Sequence, residues 1–264
     1  MPKVSEIVSY LYTLAPDYMQ EDWDNTGLVV GHGEREVRKL LVALDATLPV
    51  LQEAAETGCQ LVVTHHPVIF SPLRKINDGL VTGSRVLFAA ENHLACVNMH
   101  TNLDCAAGGV GELLAQKLGI QSPSVIAPRG SRKTGAPYGY VLAGAVPQMT
   151  LQDFVRTVSE RLGCAGVRFA AGGKPVRSVA VAGGACGDEL YAAAAAGCDT
   201  FVTADVKYHQ FSEARELGIN LIDAGHFETE VAVCAMLAKR LREKFPEISV
   251  TIAQSMENPV DFLC

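Results

Sequence analysis

The stretch LLVALDATLPVLQEAAETGCQLVVTHHP, Leu40 to Pro67, decides the fold class. Continuous apolar runs stand at both of its ends, and a turn and a helical pattern separate them. Such runs are typical of strands that are covered on both faces, as in the parallel sheets of α/β proteins. Gly58 follows the helical pattern and indicates its end, because glycine accepts the left-handed conformation without a Cβ clash. The stretch therefore predicts a β-α-β unit.

The same pattern occurs a second time in VAVAGGACGDELYAAAAAGCDTFVTADV, which begins at Val179. At a fixed offset of 139 residues, Gly58 and Cys59 correspond to Gly197 and Cys198. A further helix and strand follow in both copies, in SRVLFAAENHLACVNMHTNLD and in HQFSEARELGINLIDAGHFE. Matched residues at one offset favour internal duplication over a chance similarity between two β-α-β units.

The chain is therefore predicted to be an α/β protein with two similar β-α-β-α-β domains and mostly parallel sheets. We place the first domain at residues 1–125 and the second at residues 126–239. A loop rich in proline, glycine and basic residues, from Ser122 to Tyr138, follows the first half. Residues 240–264, which include the apolar stretch ISVTIAQS, are expected to return to the first domain.

Composition narrows the class of protein. The 264 residues are 48% hydrophobic and 19% charged, as in ordinary globular domains. The net charge of -7 argues against binding to nucleic acid or to an anionic membrane surface. The sequence contains no run of about 18 apolar residues, the length that a helix needs to span a bilayer. The N-terminal MPKVSEIVSYLYTLAP has the pattern of an amphipathic helix rather than of a signal peptide, so we expect a cytoplasmic protein.

The eight cysteines form no CxxC pair. In a cytoplasmic chain, cysteines inside apolar runs are expected to be small buried hydrophobic residues rather than disulfide partners. The absence of thiolate pairs also argues against a structural, cysteine-rich zinc site.

Histidines and carboxylates gather where the predicted strands end. His65 and His66 follow the strand LVVT. The other such residues are His100, Asn102 and Asp104 after LACVNM, and Asp223, His226, Glu228 and Glu230 after INLI. Ligands of open α/β sheets bind beyond the carboxyl ends of the strands, so these side chains are candidates for a functional site. His, Asp and Glu together suit Zn, Mn or Fe.

The spacing also allows a two-metal centre. His226 and Glu230 are four residues apart at a predicted helix start, so they would share one helix face. Two ions about 3.5–4 Å apart could share a carboxylate such as Asp104 or Glu230 and hold an activated water. Glu228 or His100 could move the proton.

Each of these residues also has a structural interpretation. Adjacent histidines of an ideal strand point to opposite faces, so His65 and His66 converge only if the strand breaks there, which the following proline favours. Asp104 could cap the next helix. Glu228 and Glu230 could be first-turn carboxylates that the helix dipole favours.

The segment EDWDNTGLVVGH contains Trp23, the only tryptophan. The residues DNTG that follow it are typical of a turn. We interpret Trp23 as a packed indole beside a tight turn. Asp24 or Asn25 could lie near the mouth of a cleft.

Five short motifs, in order along nearly the whole chain, resemble those of a known family. They are WDNTGL, VVTHHPVIF, HTNLD, VTADVKYH and DAGHFETE. With them the chain resembles the short bacterial form of the Nif-three-like family of dinuclear-metal-centre proteins, described as GTP cyclohydrolase 1 type 2 homologues. Each motif is short, but THHP, HTNLD and GH-x-x-TE are specific as a set.

The resemblance implies two α/β domains with a metal cleft between them and a toroidal homohexamer. It also implies two divalent metal ions per subunit, which would be Zn, Fe or Mn. The ligands carried over by the resemblance are His65, His66, Asp104, His226 and Glu230, with His100 beside them.

Two functions remain as hypotheses. The first is a dinuclear metal-dependent hydrolase that acts like a GTP cyclohydrolase on a purine nucleotide, through a metal-activated water. The sequence has no GxxxxGK[ST] or GxGxxG phosphate loop, so metals and basic side chains would have to hold such a substrate. The alternative is a non-catalytic metal-binding or interaction protein, such as a metal chaperone or a scaffold ring. A vacant coordination position distinguishes the catalytic site from the closed one.

Overall fold

A computed structural model describes residues 1–263 of the chain. The α-helices of this part are α1 (Val4–Leu14), α2 (Leu48–Glu56), α3 (Val81–Glu91), α4 (Thr101–Asp104), α5 (Val110–Leu118), α6 (Leu151–Leu162), α7 (Leu190–Ala195), α8 (Tyr208–Leu217), α9 (His226–Glu230) and α10 (Ala232–Lys244). The strands are β1 (Gly27–Val30), β2 (Lys39–Ala43), β3 (Leu61–Thr64), β4 (Ala95–Asn98), β5 (Gln121–Val125), β6 (Gly130–Ser131), β7 (Pro137–Tyr138), β8 (Leu142–Met149), β9 (Arg168–Ala170), β10 (Val176–Val181), β11 (Thr200–Thr203), β12 (Asn220–Asp223) and β13 (Ser249–Ile252).

The described residues divide into two compact units. The first contains Met1–Leu103 and Val233–Glu257, and the second contains Asp104–Ala232 and residues 258–263. This division differs from the sequence-based boundary at residue 125, because α5 packs into a core of the second unit and β5 pairs with β8. Cys264, the last residue of the segment that was expected to return to the first domain, lies outside the described residues.

In the first unit, the described strands form a sheet of order β1-β4-β3-β2-β13. Strands β4, β3, β2 and β13 are parallel neighbours, and β1 is antiparallel to β4. All residues of β3 and β4 are buried, as their continuous apolar sequences predict. Thr64 and Asn98, the last residues of β3 and β4, are paired in register. The segments that follow them therefore leave the sheet at the same edge.

In the second unit, the described residues form a sheet of order β5-β8-β10-β11-β12-β9 and a hairpin of β6 and β7. Strands β10, β11 and β12 are parallel, whereas β8 is antiparallel to both β5 and β10, and β9 is antiparallel to β12. The sequence did not predict β5, which lies mostly within the expected loop from Ser122 to Tyr138. Its residues are mostly exposed and include a proline, so it lacks the apolar run of a central strand.

A parallel β-α-β-α-β run is common to both units. It is β2-α2-β3-α3-β4 in the first and β10-α7-β11-α8-β12 in the second. Gly58 and Gly197 follow α2 and α7 with φ of 72° and 77°, as expected of glycines that end helices. The predicted α/β class, with parallel central strands, is confirmed.

Apolar side chains cover both faces of the central strands. In β11, Phe201 belongs to one buried cluster of the second unit and the next residue, Val202, belongs to another. In the first unit, Leu51 of α2 and Val62 of β3 share one cluster. These cores leave the strand ends as the places where polar residues gather.

None of the seven cysteines among residues 1–263 forms a disulfide with another of them. Five of them are buried, and Cys164 and Cys186 are half-buried. Burial raises the pKa of the Cys96 thiol to about 12 and is the largest cause that raises the pKa of Cys164 to about 11. In the described part of the chain, no helix has the length and apolar character needed to cross a membrane.

Candidate metal centre

His65 and His66 lie directly beyond the end of β3. The strand stops at Thr64, whose hydroxyl donates to the His66 carbonyl at 2.7 Å, while the His66 amide donates to the Leu44 carbonyl at 2.9 Å. The chain thereby leaves the extended geometry in which adjacent side chains point to opposite faces. As a result, the two imidazole centroids lie 4.8 Å apart. The strand break that convergence required is present.

His100 lies two residues beyond the end of β4 and joins the same group. Its ring centroid is 5.3 Å from that of His65 and 5.6 Å from that of His66. One ring nitrogen of each histidine lies within 4.8 Å of the other two. We call His65, His66 and His100 the histidine cluster. It is a group of the first unit that could hold a metal ion.

Each ring of the histidine cluster is oriented through its Nδ1 atom. The Nδ1 partners are the Met99 carbonyl at 2.8 Å for His65, Asp45 at 2.9 Å for His66, and Asp24 at 2.8 Å for His100. A carbonyl or an ionised carboxylate can only accept, so Nδ1 donates its proton and Nε2 is the nitrogen with a lone pair. Metal-ligating histidines almost always show this arrangement.

Asp24 remains ionised down to low pH. Burial raises its pKa, but hydrogen bonds from His100, Thr101 and the Asn25 amide outweigh burial and lower the pKa to about 2. The Thr101 amide donates to Oδ2 at 3.0 Å. At neutral pH the ionised Asp24 therefore accepts a hydrogen bond from Nδ1 of His100.

His226 begins α9 in the second unit, just beyond the end of β12. Its Nδ1 donates to Asp205 at 2.7 Å, and its Nε2 lies 3.1 Å from Glu230 Oε2. The spacing of four residues places His226 and Glu230 on one helix face, as the sequence predicts. Asp205 adopts a φ of 51°, a left-handed conformation that aspartate accepts more readily than most residues.

Asp104 and Glu230 both act on the thiol of Cys186. Burial raises the pKa of Cys186 well above its usual value, and the charges of Asp104 and Glu230 raise it further. Gly184, with a φ of 65°, lies against the Glu230 carboxylate and His226 Nε2, and leaves no room for a Cβ atom. We call Asp104, His226 and Glu230 the acidic cluster.

The donor atoms of both clusters fit a divalent transition metal. His65, His66 and His226 present Nε2 because Nδ1 is already bonded. Glu230 is only 4% exposed, and a buried carboxylate needs a positive partner to offset its lost hydration. Imidazole nitrogen and carboxylate oxygen are the ligands that Zn, Fe and Mn share.

The structure supports the structural interpretation of Glu228 but not that of Asp104. Glu228 accepts from Asn258 Nδ2 at 2.9 Å, and its carboxylate lies against Gly225, the N-cap residue of α9. This is the position of a first-turn carboxylate. Asp104 is not the N-cap of α5, because Gly109 occupies that position.

The remaining strand-end residues have structural partners. Asn102 Nδ2 donates to the Ala15 carbonyl at 2.7 Å. Asp223 accepts from the Val206 amide at 3.1 Å and pairs with Arg168. Both side chains are therefore engaged in holding loops rather than in either cluster.

Sequence reasoning missed two supporting carboxylates. Asp45 and Asp205 were not predicted as histidine partners, and Asp24 was placed only near a cleft mouth. A signal was present, because Asp45 follows β2 and Asp205 follows β11, at the same strand ends that deliver the histidines. Two of the motifs contain Asp24 and Asp205, but a motif does not show which histidine a carboxylate orients.

The expectation for Trp23 was wrong. Its side chain is 57% exposed rather than packed as the turn pattern suggested. Its ring borders Phe70 and His100, with centroids 5.6 Å and 6.0 Å away. A local turn pattern specifies backbone geometry but not what covers the adjacent side chain.

Comparison with known proteins assigns the family. A family model described as Duf34/NIF3 (NGG1p interacting factor 3) matches residues 2–259. A Streptomyces coelicolor protein named GTP cyclohydrolase 1 type 2 homolog is 34% identical over 248 residues, covering 92% of this chain and 87% of the relative. A Helicobacter pylori protein named GTP cyclohydrolase 1 type 2 is 28% identical over 263 residues, covering 100% of both.

A solved structure agrees with this assignment. The crystal structure of a Bacillus cereus protein related to NIF3 matches with a TM-score of 0.92 and 25% identity, covering 99% of both chains. The predicted resemblance to the Nif-three-like family is therefore confirmed. This chain belongs to the Duf34/NIF3 family.

Proposed function

We propose that this protein is a dinuclear metal-dependent hydrolase whose ions are held by His65, His66, Asp104, His226 and Glu230. The observation that carries the proposal is the orientation of the three imidazoles. In each of them Nδ1 is bonded to a protein acceptor, which fixes the ring orientation and places Nε2 on the opposite side of the ring from that acceptor. The names of the relatives, GTP cyclohydrolase 1 type 2 and its homologues, support hydrolytic chemistry.

The chain's own contribution is to fix the donor atoms in advance. Asp45, Asp205 and the Met99 carbonyl select the ring tautomer and the ring orientation, so little reorganisation accompanies binding. Gly184 keeps the space beside Glu230 and His226 free of a side chain. When bound, two divalent ions would supply Lewis acidity that lowers the pKa of a water and polarises a substrate oxygen.

We assign proton transfer to His100. Its Nδ1 is fixed by Asp24, and its ring borders both His65 and His66. Nε2 can accept a proton from water or substrate, and the ionised Asp24 would stabilise the imidazolium that forms. Glu228 was the other candidate, but its hydrogen bond to Asn258 favours a structural role at the start of α9.

A purine nucleotide such as GTP is the proposed substrate class. It follows from the names of the relatives and from the family resemblance of the motifs. Cyclohydrolase action would open the imidazole ring of the purine by attack of water at C8. A toroidal homohexamer in the cytoplasm belongs to the same proposal, and light scattering on the purified protein would measure the assembly.

Metal content of the purified protein tests the proposed centre. We expect elemental analysis after reconstitution to give about two ions per chain for the wild type. His65→Ala and Asp104→Ala should each lower this content, because each removes one proposed donor. His32→Ala and His209→Ala are matched controls at exposed histidines and should leave it unchanged. A wild type that stays metal-free after reloading would remove the basis of the proposal.

Turnover separates the hydrolase from the alternative. The Zn-, Fe- and Mn-loaded protein would be incubated with GTP and with a simple phosphomonoester, and the products separated by chromatography. Release of a ring-opened purine product would support the cyclohydrolase assignment, and release of phosphate alone would identify a phosphoesterase. Stable metal binding without turnover of either would favour a non-catalytic metal-binding protein.

A further inference from the structure

Two large aromatic side chains lie exposed beside the histidine cluster. Trp23 and Phe70 each have a relative exposure of 57%. Their ring centroids are 5.6 Å apart and their planes are inclined at 44°. The two rings therefore meet at an open angle and do not cover each other.

Both rings also border His100. The His100 centroid lies 6.0 Å from that of Trp23 and 6.1 Å from that of Phe70, with the planes near perpendicular at 72° and 70°. His100 in turn lies 5.3 Å from His65. A flat ligand resting on Trp23 or Phe70 would thus lie next to the imidazoles that we propose to hold metal.

Hydrogen bonds hold the two aromatic residues in place before any ligand binds. The Asn25 side chain donates to the Ile69 carbonyl at 2.9 Å, which ties the segment after Trp23 to the segment before Phe70. The Asn98 side chain donates to the Asn25 carbonyl at 2.9 Å, which ties the same segment to the end of β4. A preformed surface of this kind avoids the cost of ordering loops when a ligand binds.

Two adjacent exposed aromatic rings contribute less to folding stability than buried ones would. Large aromatic side chains contribute most to stability when they are buried, and here two of them remain open to solvent side by side. Aromatic faces stack on planar rings whatever the detailed ring chemistry, as proteins that bind nucleobases show. We propose that Trp23 and Phe70 form a subsite that stacks on the planar aromatic ring of the substrate, a purine base or a similar heterocycle. The subsite rests on the proposed function, since it assigns the site's substrate class.

Two other occupants would use the same surface differently. A quaternary ammonium ion binds where several ring faces are directed at one point. The planes of Trp23 and Phe70 are each nearly perpendicular to that of His100, so the three rings do not form such a cage. A second copy of the chain would cover the pair permanently. The experiment distinguishes all three occupants.

The single tryptophan makes the subsite directly observable, because all intrinsic tryptophan fluorescence comes from Trp23. We would titrate the full chain, both metal-loaded and chelator-treated, with guanosine monophosphate, ribose 5-phosphate and choline. Guanosine monophosphate should quench the Trp23 fluorescence saturably, after correction for the absorbance of the nucleotide. Ribose 5-phosphate, which lacks the base, and choline should not quench.

Variants at Phe70 test the role of the second ring. Phe70→Leu should raise the Kd for guanosine monophosphate between about 5-fold and 150-fold, the range expected for loss of one stacking partner. Phe70→Tyr keeps the ring and should bind within about threefold of the wild type. Phe169→Leu changes an exposed phenylalanine of the other unit and is the matched control, with no expected change.

Three binding results would each overturn the subsite. They are equal quenching by ribose 5-phosphate, quenching by choline in place of the nucleotide, and an unchanged Kd in Phe70→Leu. If Phe70→Leu instead dissociates the assembly in light scattering while base binding persists, the surface belongs to a second copy and the inference also fails. Elemental analysis of the same samples keeps the two proposals separate. A metal-free protein whose quenching still requires the base and Phe70 supports the subsite while the metal centre fails.

Discussion

The strand end of β3 and the strand end of β11 carry different chemistry on the same frame. β3 is followed by His65 and His66, and at the offset of 139 residues β11 is followed by Ala204 and Asp205. In the first unit the strand end supplies two imidazoles. In the second it supplies a carboxylate that orients His226, which comes from α9. The comparison shows that a β-α-β-α-β frame determines where polar residues gather and not which of them can coordinate.

The supporting carboxylates repeat in a similar way. Asp45 follows β2 and bonds Nδ1 of His66, and Asp205 follows β11 and bonds Nδ1 of His226. Both lie beyond the carboxyl end of a parallel strand. In both clusters, a carboxylate after a parallel strand therefore orients an imidazole through its Nδ1 atom.

The largest expected effect concerns the space that glycine leaves in the acidic cluster. Gly184→Ala adds a Cβ against the Glu230 carboxylate at a φ of 65°, so strain and overpacking should together lower the free energy of unfolding by about 2–5 kcal/mol. Gly197→Ala is the matched control, because its φ is 77° but nothing lies within 4 Å of its Cβ position. Gly197→Ala should lower the free energy of unfolding by only about 1–2 kcal/mol. Urea unfolding followed by circular dichroism measures both, and equal losses would contradict close packing at Gly184.

The next effect compares the two supporting carboxylates. Asp45→Ala and Asp205→Ala should each weaken metal binding by about 10–100-fold, because each frees an imidazole to rotate and to change tautomer. Competitive titration with a chromogenic chelator measures the affinity. Asp188→Ala, at an exposed carboxylate of the second unit, is the control and should leave the affinity unchanged. If only one of the two supporting variants loses affinity, the two clusters do not both depend on an orienting carboxylate.

The smallest effect concerns Glu53, a carboxylate of the first unit whose equivalent position in the second unit is an alanine. Glu53 of α2 accepts from the Gln254 amide at 2.9 Å and from the Ser255 amide at 2.8 Å, and the corresponding position of α7 is Ala192. Burial raises the pKa of Glu53, but these hydrogen bonds and the Ser255 hydroxyl outweigh it and lower the pKa. Glu53→Gln should cost about 1 kcal/mol at pH 7.

The pH dependence of this effect has a definite sign. Because the folded-state pKa of Glu53 lies below its unfolded value, the stabilisation is complete above the unfolded pKa, about 4.3, and is lost as pH falls through the folded pKa. The difference between wild type and Glu53→Gln should therefore be constant near neutral pH and shrink in acid. Glu56→Gln, at an exposed position of the same helix, is the control. A difference that grows in acid would contradict the assigned hydrogen bonds.

Local patterns were sufficient to predict the frame and the residues at its ends. The apolar run of β3 and the histidines that follow it predicted both a buried strand and a polar strand end, because periodicity and chain order determine these features. The i, i+4 spacing likewise placed His226 and Glu230 on one helix face. These predictions needed no knowledge of which segments pack together.

The features that the sequence did not predict all depend on distant contacts. The sequence of β5 indicates a loop, because a short exposed strand pairs through its backbone and needs no apolar pattern. The exposure of Trp23 depends on what covers it and not on the turn beside it. The pairing of Asp45 with His66 joins residues 21 positions apart in the chain, and no motif records that reach.

Anomalous diffraction from crystals of the metal-loaded protein is the most direct test of the proposed metal centre. Data collected on both sides of the absorption edge of the loaded metal would locate the ions and identify the atoms that bind them. We expect two anomalous peaks per chain. The ions at these peaks should be bound by Nε2 of His65, His66 and His226, and Nδ1 of each ring should still face its protein acceptor. Binding through Nδ1, or no peak at any of these residues, would contradict the proposed centre.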